Sequence, residues 1–305
     1  LKIQYLAKNS DATDITLSNN VLPIRKSYQT MSPVQQKPKP VVLCILDGWG
    51  FRKEDDNNAI NLAKTPLIDK LSKEVPLGYL ATCGLDVGLP TGQMGNSEVG
   101  HMNIGAGRIV FQDFMRINNE IKNDTFKDNT ELVKLFKYAK ENNKALHLMG
   151  LFSDGGVHSH INHLIALCKY ANDFGLQKVY VHAFTDGRDC APDSGKEMVK
   201  YFEEKTKSYS AKIVSILGRY YAMDRDKRWD RIKLAYDLMV NGKGEKFNTA
   251  LDAVLDSYKH NKSDEFIEPK IIESEEDTTI NAGDAVLSFN FRTDRCREIT
   301  EVVAE

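Results

Sequence analysis

Short apolar runs with almost no polar interruption, spaced by stretches of amphipathic helical length, most restrict how this chain can fold. The first is Val41-Val42-Leu43-Cys44-Ile45-Leu46, and similar runs recur at 145–152, 178–184, 211–217 and 285–291. A strand with one wet face alternates apolar and polar residues; these runs instead read as strands covered on both faces. Between them the period changes. Thr65-Pro66 caps an amphipathic run to Glu74, Thr130 opens 131–141, and 161–174 follows. Asp193 or Ser194 opens 195–207, 229–240 ends at Gly242, and Thr249 caps 250–260. Strands alternating with helices of this length predict an α/β fold on a mainly parallel sheet.

Residues 1–40 break this pattern. They are polar, lack sustained periodicity and end in Gln-Gln-Lys-Pro-Lys-Pro, so they are expected to form a disordered leader. Asp11 and Asp14 are out of character for a transit peptide, and Met31 could be an ancestral start. Lys+Arg 41 against Asp+Glu 43 leaves a net charge of -2, so no global field favours nucleic acid or membrane. The sequence holds no run of eighteen apolar residues, the length a spanning helix needs. Five widely spaced cysteines without a CxxC pair argue against a disulfide framework and for a reducing, cytoplasmic compartment.

The residues that follow each run are unusual. The first leads into Asp47-Gly48-Trp49-Gly50, the second into Ser153-Asp154-Gly155-Gly156-Val157-His158, the third into Thr185-Asp186-Gly187-Arg188-Asp189. The fourth leads into Gly218-Arg219-Tyr220-Tyr221-Ala222-Met223-Asp224-Arg225 and the fifth into Arg292-Thr293-Asp294-Arg295. Any one could be an ordinary turn, since Asp-Gly is a common turn dipeptide. Five strands each delivering Asp, His or Arg to one edge is more than packing requires, and ligands of open α/β sheets bind beyond the carboxyl ends of the strands.

The chemistry these groups suit is that of an anion. Eight of the twelve arginines (188, 219, 225, 228, 231, 292, 295 and 297) fall in the last part of the chain, whereas lysines are scattered. Arginine grips phosphate and carboxylate bidentately, and so many guanidinium groups held close need an anionic partner. Arg228 and Arg231, among Asp224, Asp226 and Asp230, read instead as solvated helical pairs. Asp47, straight after a buried run, is costly unless paired or metal-bound. In 89–101, Ser97, just before a helical stretch, stands either as an ordinary N-cap or as a hydroxyl presented to an anion, and 102–107 is too rich in glycine for a helix that needs only a cap. His158-Ser159-His160 with His163 could ligate zinc, but no carboxylate or cysteine nearby completes a set. His158 could instead donate to a phosphate. In Asp186-Gly187-Arg188-Asp189, Arg188 can grip a substrate oxygen while Asp189 shuttles a hydroxyl proton.

Taken in order, Asp47-Gly48-Trp49-Gly50, Gly95-Asn96-Ser97-Glu98-Val99-Gly100-His101, the segment 154–160, Asp186-Gly187-Arg188-Asp189, the segment 218–226 and Phe291-Arg292-Thr293-Asp294-Arg295 resemble the cofactor-independent phosphoglycerate mutases. The resemblance runs from about Val41 to the last residue. It implies an alkaline-phosphatase-superfamily architecture: a phosphatase-like parallel sheet domain, incomplete here, begun by 41–111 and interrupted by an inserted α/β transferase domain from 112 to 305, truncated at its end. It implies a serine at Ser97 that takes the phosphoryl group of 3-phosphoglycerate and returns it to the 2-hydroxyl of bound glycerate. By matching motif, Asp47 and Ser97 would be ligands of one of two divalent ions, manganese or magnesium, and 2,3-bisphosphoglycerate would not be required. Asp189 would handle the hydroxyl protons; His158, Arg188, Arg219 and Arg225 would hold glycerate; Arg292 and Arg295 would face phosphate. The family acts as a soluble glycolytic isomerase, monomeric at full length, with a small-molecule substrate. Its further metal ligands lie in a second phosphatase stretch with no counterpart in this sequence, so the 305-residue chain alone is expected to be inactive. Another phosphotransferase of the superfamily, or an inactive ligand-binding fragment, are the competing expectations.

Overall fold

The computed structural model describes residues 39–304, so residues 1–38 of the expected leader lie outside the described residues. The chain divides after Val110 into two compact units.

In the first unit the described residues form helices α1 (Ala59–Leu62), α2 (Pro66–Glu74) and α3 (Ser97–Ala106). Val41–Leu46, expected as a doubly covered strand, is not one: Val41 is 94% exposed and Val42 82%. An apolar run specifies burial but cannot supply the neighbouring strands that satisfy its amides. The only strand-like pairing among the described residues of this unit is one bridge, Cys83 to Met94. A small core of Val87, Leu89 and Val99 packs beneath α3. The glycine-rich segment 102–107 is also helical up to Ala106, contrary to its composition. Asn96 caps α3 by accepting from the Val99 amide at 3.0 Å. Asn103 then ties it down, donating to the Val87 carbonyl at 3.0 Å and accepting from the Val110 amide at 2.7 Å. Tertiary hydrogen bonds thus override weak helix propensity.

The second unit is a six-stranded sheet: β1 (Leu146–Phe152), β2 (Val179–Thr185), β3 (Ala211–Gly218), β4 (Glu245–Phe247), β5 (Lys270–Ile272) and β6 (Ala285–Ser288), in the order β4-β5-β3-β2-β1-β6. All neighbours run parallel except β3 and β5. Helices α4 (Asp113–Lys122), α5 (Thr130–Glu141), α6 (Ile161–Phe174), α7 (Gly195–Thr206), α8 (Arg219–Ala222), α9 (Trp229–Met239), α10 (Ala250–Lys259) and α11 (Arg297–Ala304) accompany it. Every residue of β1 and β2 is buried, as uninterrupted apolar runs require. The cores differ on the two faces. Leu146, Leu148 and Phe152 join α6, α7 and α10 residues in one cluster, and Met149 and Leu151 join α9 and α11 residues in the other. Phe152 meets Phe202 edge-on at 5.5 Å between ring centres, and each such buried ring contributes about 1.5–3 kcal/mol.

Some helix starts use local caps. Thr249 accepts from the Asp252 amide at 3.0 Å, and Asn129, rather than Thr130, caps α5. The start of α7 is different. Neither Asp193 nor Ser194 caps it; the Gly195 amide donates to Asp264 Oδ2 at 2.7 Å, a carboxylate brought back from far along the chain. Asp264 opens a short 3-10 turn, Asp264–Phe266, that lies against Gly187 and Gly218 so closely that an added Cβ on either would overlap backbone atoms of Glu265. The turn therefore braces the ends of β2 and β3, where the charged motifs begin.

Candidate active site

In the first unit Ser97 is the first residue of α3, not its cap. Its hydroxyl donates to Asp47 Oδ2 at 2.7 Å across a separation of fifty residues. Asp47, Gly48, Gly95, Asn96 and Ser97 line one side of a cavity of about 370 Å³. Gly95 cannot carry a side chain, because a Cβ would overlap the Thr82 carbonyl. At a helix N-terminus the free amides and the dipole favour negative charge, so a Ser hydroxyl there faces the place where an anion is best held.

In the second unit the parallel strands β1, β2 and β3 deliver their polar residues to one edge. Arg219 is 4% exposed, and its Nη1 donates to Asp186 Oδ1 at 2.7 Å and to Asp189 Oδ2 at 2.6 Å. Asp186, 2% exposed, also accepts from Ser153 Oγ at 2.6 Å and from the amides of Arg188 and Asp189 at 3.1 and 3.0 Å. Burial pushes the Asp186 carboxyl up, but the amide, hydroxyl and guanidinium donors outweigh it and hold the pKa below the usual aspartate value. Burial likewise opposes the charge on Arg219, and the two carboxylates more than restore it.

The outer part of the cluster is short of counter-charge. Arg225 Nη1 and Arg292 Nη2 both reach Asp294 Oδ2, at 3.1 and 3.4 Å. Arg295 donates to the Met223 carbonyl at 3.1 Å and has no carboxylate within 4.0 Å among the described residues. Two guanidinium groups thus share one carboxylate, and a third has none. Burial, then the nearby charges of Arg225, Arg219 and Arg188, lowers the pKa of Arg295. An arginine whose charge is disfavoured by its neighbours is a group awaiting an anion.

Arg188 is more than half exposed, its Nη1 3.6 Å from Glu265 Oε1. His158 is buried, with Nε2 4.0 Å from Asp189 Oδ2 and Nδ1 3.6 Å from Asp294 Oδ1. Burial, reinforced by Arg219 and Arg292, pushes His158 down to about 4, so it is neutral at pH 7. The two other histidines of its cluster do not converge with it on one point. His160 caps α6 through the Asn162 amide, and His163 Nε2 meets Asn118 Oδ1 at 2.9 Å. No group of three or more His, Cys, Asp or Glu side chains able to hold a metal exists among the described residues.

The structure therefore brings together Asp47 with Ser97, and, separately, His158, Asp189, Arg219, Arg225, Arg292 and Arg295. Two partners were missed from sequence. Asp186 was passed over for the Arg188-Asp189 pair, and Asp294 was left without a role. The adjacency of β1 and β2, which sets Ser153 beside Asp186, could have pointed to the first. Arg231 was misread as a solvated pair: it lies 3.7 Å over the Tyr220 ring and 3.5 Å from Asp224, a buried carboxylate that also accepts from the amides of Asp226 and Arg228. It closes the loop after α8 rather than decorating a surface.

A parallel-sheet unit with an arginine-lined edge, preceded by a unit bearing a helix-start serine on an aspartate, defines an α/β protein. The comparisons with known proteins make that class specific. A family profile described as the BPG-independent PGAM N-terminus matches residues 117–305. A 2,3-bisphosphoglycerate-independent phosphoglycerate mutase of Flavobacterium psychrophilum is 52% identical over 270 residues, covering 88% of this chain and 54% of the relative. One from Clostridium perfringens is 54% identical over 270 residues, covering 88% and 53%. A solved structure of Leishmania mexicana phosphoglycerate mutase at low cobalt concentration superposes with a TM-score of 0.66 at 34% identity, covering 84% of this chain and 49% of that one. The chain belongs to the BPG-independent phosphoglycerate mutase family. It spans about half the length of the curated relatives it matches.

Proposed function

We propose that this chain carries the nucleophile and the substrate grip of a cytoplasmic phosphoglycerate mutase that interconverts 3- and 2-phosphoglycerate in glycolysis and gluconeogenesis. The carrying observation is that Arg225 and Arg292 share the carboxylate of Asp294 while Arg295 has none within 4.0 Å among the described residues, which leaves positive charge for an anion with two acidic groups. In this reading the first unit is the start of a phosphatase-like domain and the second is the transferase domain.

Ser97 would attack the phosphoryl group and carry it as phosphoserine. Its proton already points at Asp47 Oδ2, which orients the oxygen lone pairs away from that carboxylate. Asp47 and Ser97 are hard oxygen donors side by side, so they fit two positions in the shell of a manganese or magnesium ion. A divalent ion held there would lower the pKa of the Ser97 hydroxyl and shield phosphoryl charge. In the second unit Asp189 would take and return the hydroxyl protons of glycerate. Arg219, clamped by Asp186 and Asp189, fixes that carboxylate in place, and Arg188, His158 and Arg225 would hold the glycerate carboxylate and hydroxyls. Arg292 and Arg295 would meet phosphate.

Because two donors are too few to hold a hard divalent ion tightly, the chain is expected to bind 3-phosphoglycerate without turning it over. Calorimetric titration should show binding, and Arg292→Met and Arg295→Met should each weaken it roughly 10–100-fold, the worth of one charge-assisted hydrogen bond set. No binding would remove the substrate grip, and turnover in an enolase-coupled assay with manganese would remove the half-site reading. Acid-quenched phosphoserine located on Ser97, in a protein of the relatives' full length carrying this sequence, tests the nucleophile directly.

A further inference from the structure

Two sealed polar atoms in the second unit lack a hydrogen-bond partner and face each other. His158 Nδ1 and Asp294 Oδ1 are each buried and unsatisfied, 3.6 Å apart. A bare imidazole nitrogen against a carboxylate oxygen would be two lone pairs in repulsion, in a place where water does not relieve them. One proton on Nδ1 replaces that repulsion with an electrostatic attraction across 3.6 Å. The opposite nitrogen stands differently. Nε2 is 4.0 Å from Asp189 Oδ2, but that oxygen already accepts from Arg219 at 2.6 Å and is partly open to solvent. It has less need of the single proton a neutral imidazole carries.

We propose that Asp294 is a positioning residue that fixes His158 as its Nδ1–H tautomer, so that Nε2 presents a bare lone pair beside Asp189 as an acceptor for a substrate hydroxyl. This rests on the mutase reading only for the identity of that hydroxyl; the tautomer itself follows from the geometry. Asp294 has both oxygens committed in this arrangement. Oδ2 holds Arg225 and Arg292, and Oδ1 holds His158, so one carboxylate sets the spacing of two guanidinium groups and the orientation of an imidazole. The paired roles explain why a carboxylate sits in the middle of a cluster otherwise arranged to attract anions. The neighbouring charges work the same way. Burial, then the charges of Arg219 and Arg292, opposes a second proton on the ring, which keeps Nε2 free.

The test is the protonation pattern of the His158 ring, read from two-bond 1H–15N correlations of the uniformly labelled chain at neutral pH, with the signal assigned by its loss in His158→Gln. The wild-type ring should show a protonated Nδ1 and a bare Nε2. Asp294→Ala removes the acceptor and leaves Arg225 and Arg292 facing Nδ1, so the pattern should invert to a protonated Nε2. Unchanged signals from His147, His163 and His182 report that the variant is folded. A wild-type ring protonated at Nε2 overturns the proposal whether or not the variant folds, as does an Asp294→Ala ring still protonated at Nδ1. Adding D-glycerate should shift the His158 Nε2 resonance. A correct tautomer with no such shift leaves the positioning role standing and counts against the mutase reading instead.

Discussion

Asp186→Ala is expected to destabilise the second unit by about 3–5 kcal/mol, the usual effect of breaking a buried ion pair from one side. The size comes from what is left behind. Arg219 stays buried with Asp189 as its only carboxylate, and Asp189 itself loses the amide hydrogen bond that fixes its backbone. Ser153, 1% exposed, keeps only Cys190 Sγ at 3.9 Å as acceptor, and the turn after β2 loses the oxygen that gathers the Arg188 and Asp189 amides. Urea unfolding of the wild type and variant measures this: the midpoint should drop with the slope unchanged. Asp186→Asn keeps the shape and one acceptor and should fall between them. A loss under about 1 kcal/mol for the alanine variant would mean that Asp189 alone neutralises Arg219, and the assignment of Asp186 as the anchor of the cluster would fail.

Asp186 also marks where reading the sequence stops working. The apolar runs that became β1, β2 and β3 were legible to within a residue or two because both faces of each strand are covered, which leaves no room for polar residues to blur the pattern. The short strands β4 and β5 were not legible. Glu245-Lys246-Phe247 looks like a loop, and Lys270 opens β5 as a buried lysine held by Glu245 and Asp256 at 2.7 and 2.8 Å. Their strand character comes from partners, not composition. The run 41–46 failed in the opposite direction, apolar enough for a strand and unpaired among the described residues. In the site, residue types and strand-end positions were enough to place the arginines, because an edge of a parallel sheet collects them. Which carboxylate neutralises which arginine depends on the order in which strands lie side by side, and no local pattern encodes that order.

Lowering the pH from 6.5 toward 4 is expected to unfold this unit before its carboxylates are protonated. Burial is the largest cause of a depressed pKa at each of five histidines, the partly exposed His160 among them. His158 and His163 are pushed down to about 4, His147 is lowered, and His182, fully enclosed and 3.0 Å from His147, is held well below its ordinary value. In the unfolded chain these side chains keep the ordinary value near 6.5, so the unfolded state binds protons first as pH falls. Stability then rises with pH across this interval and is lost on acidification, the loss from His158 and His163 ending near pH 4 where the native state takes the proton too. A depression from 6.5 to about 4 corresponds to roughly 3 kcal/mol for each of those two groups. The His147–His182 pair adds in the same direction, since its shared hydrogen bond, continued from His182 Nδ1 to Ser215 Oγ at 2.7 Å, needs one bare ring nitrogen and is lost when both rings are protonated. Asp264, whose carboxyl is raised by burial, works weakly against the trend. Urea midpoints measured from pH 7 to pH 4 should therefore fall steeply below 6.5, with His163→Gln flattening the slope by about one proton. A midpoint that stays level down to pH 5 would show that these histidines take up protons in the folded protein as readily as in the unfolded chain, and the burial reading would fail.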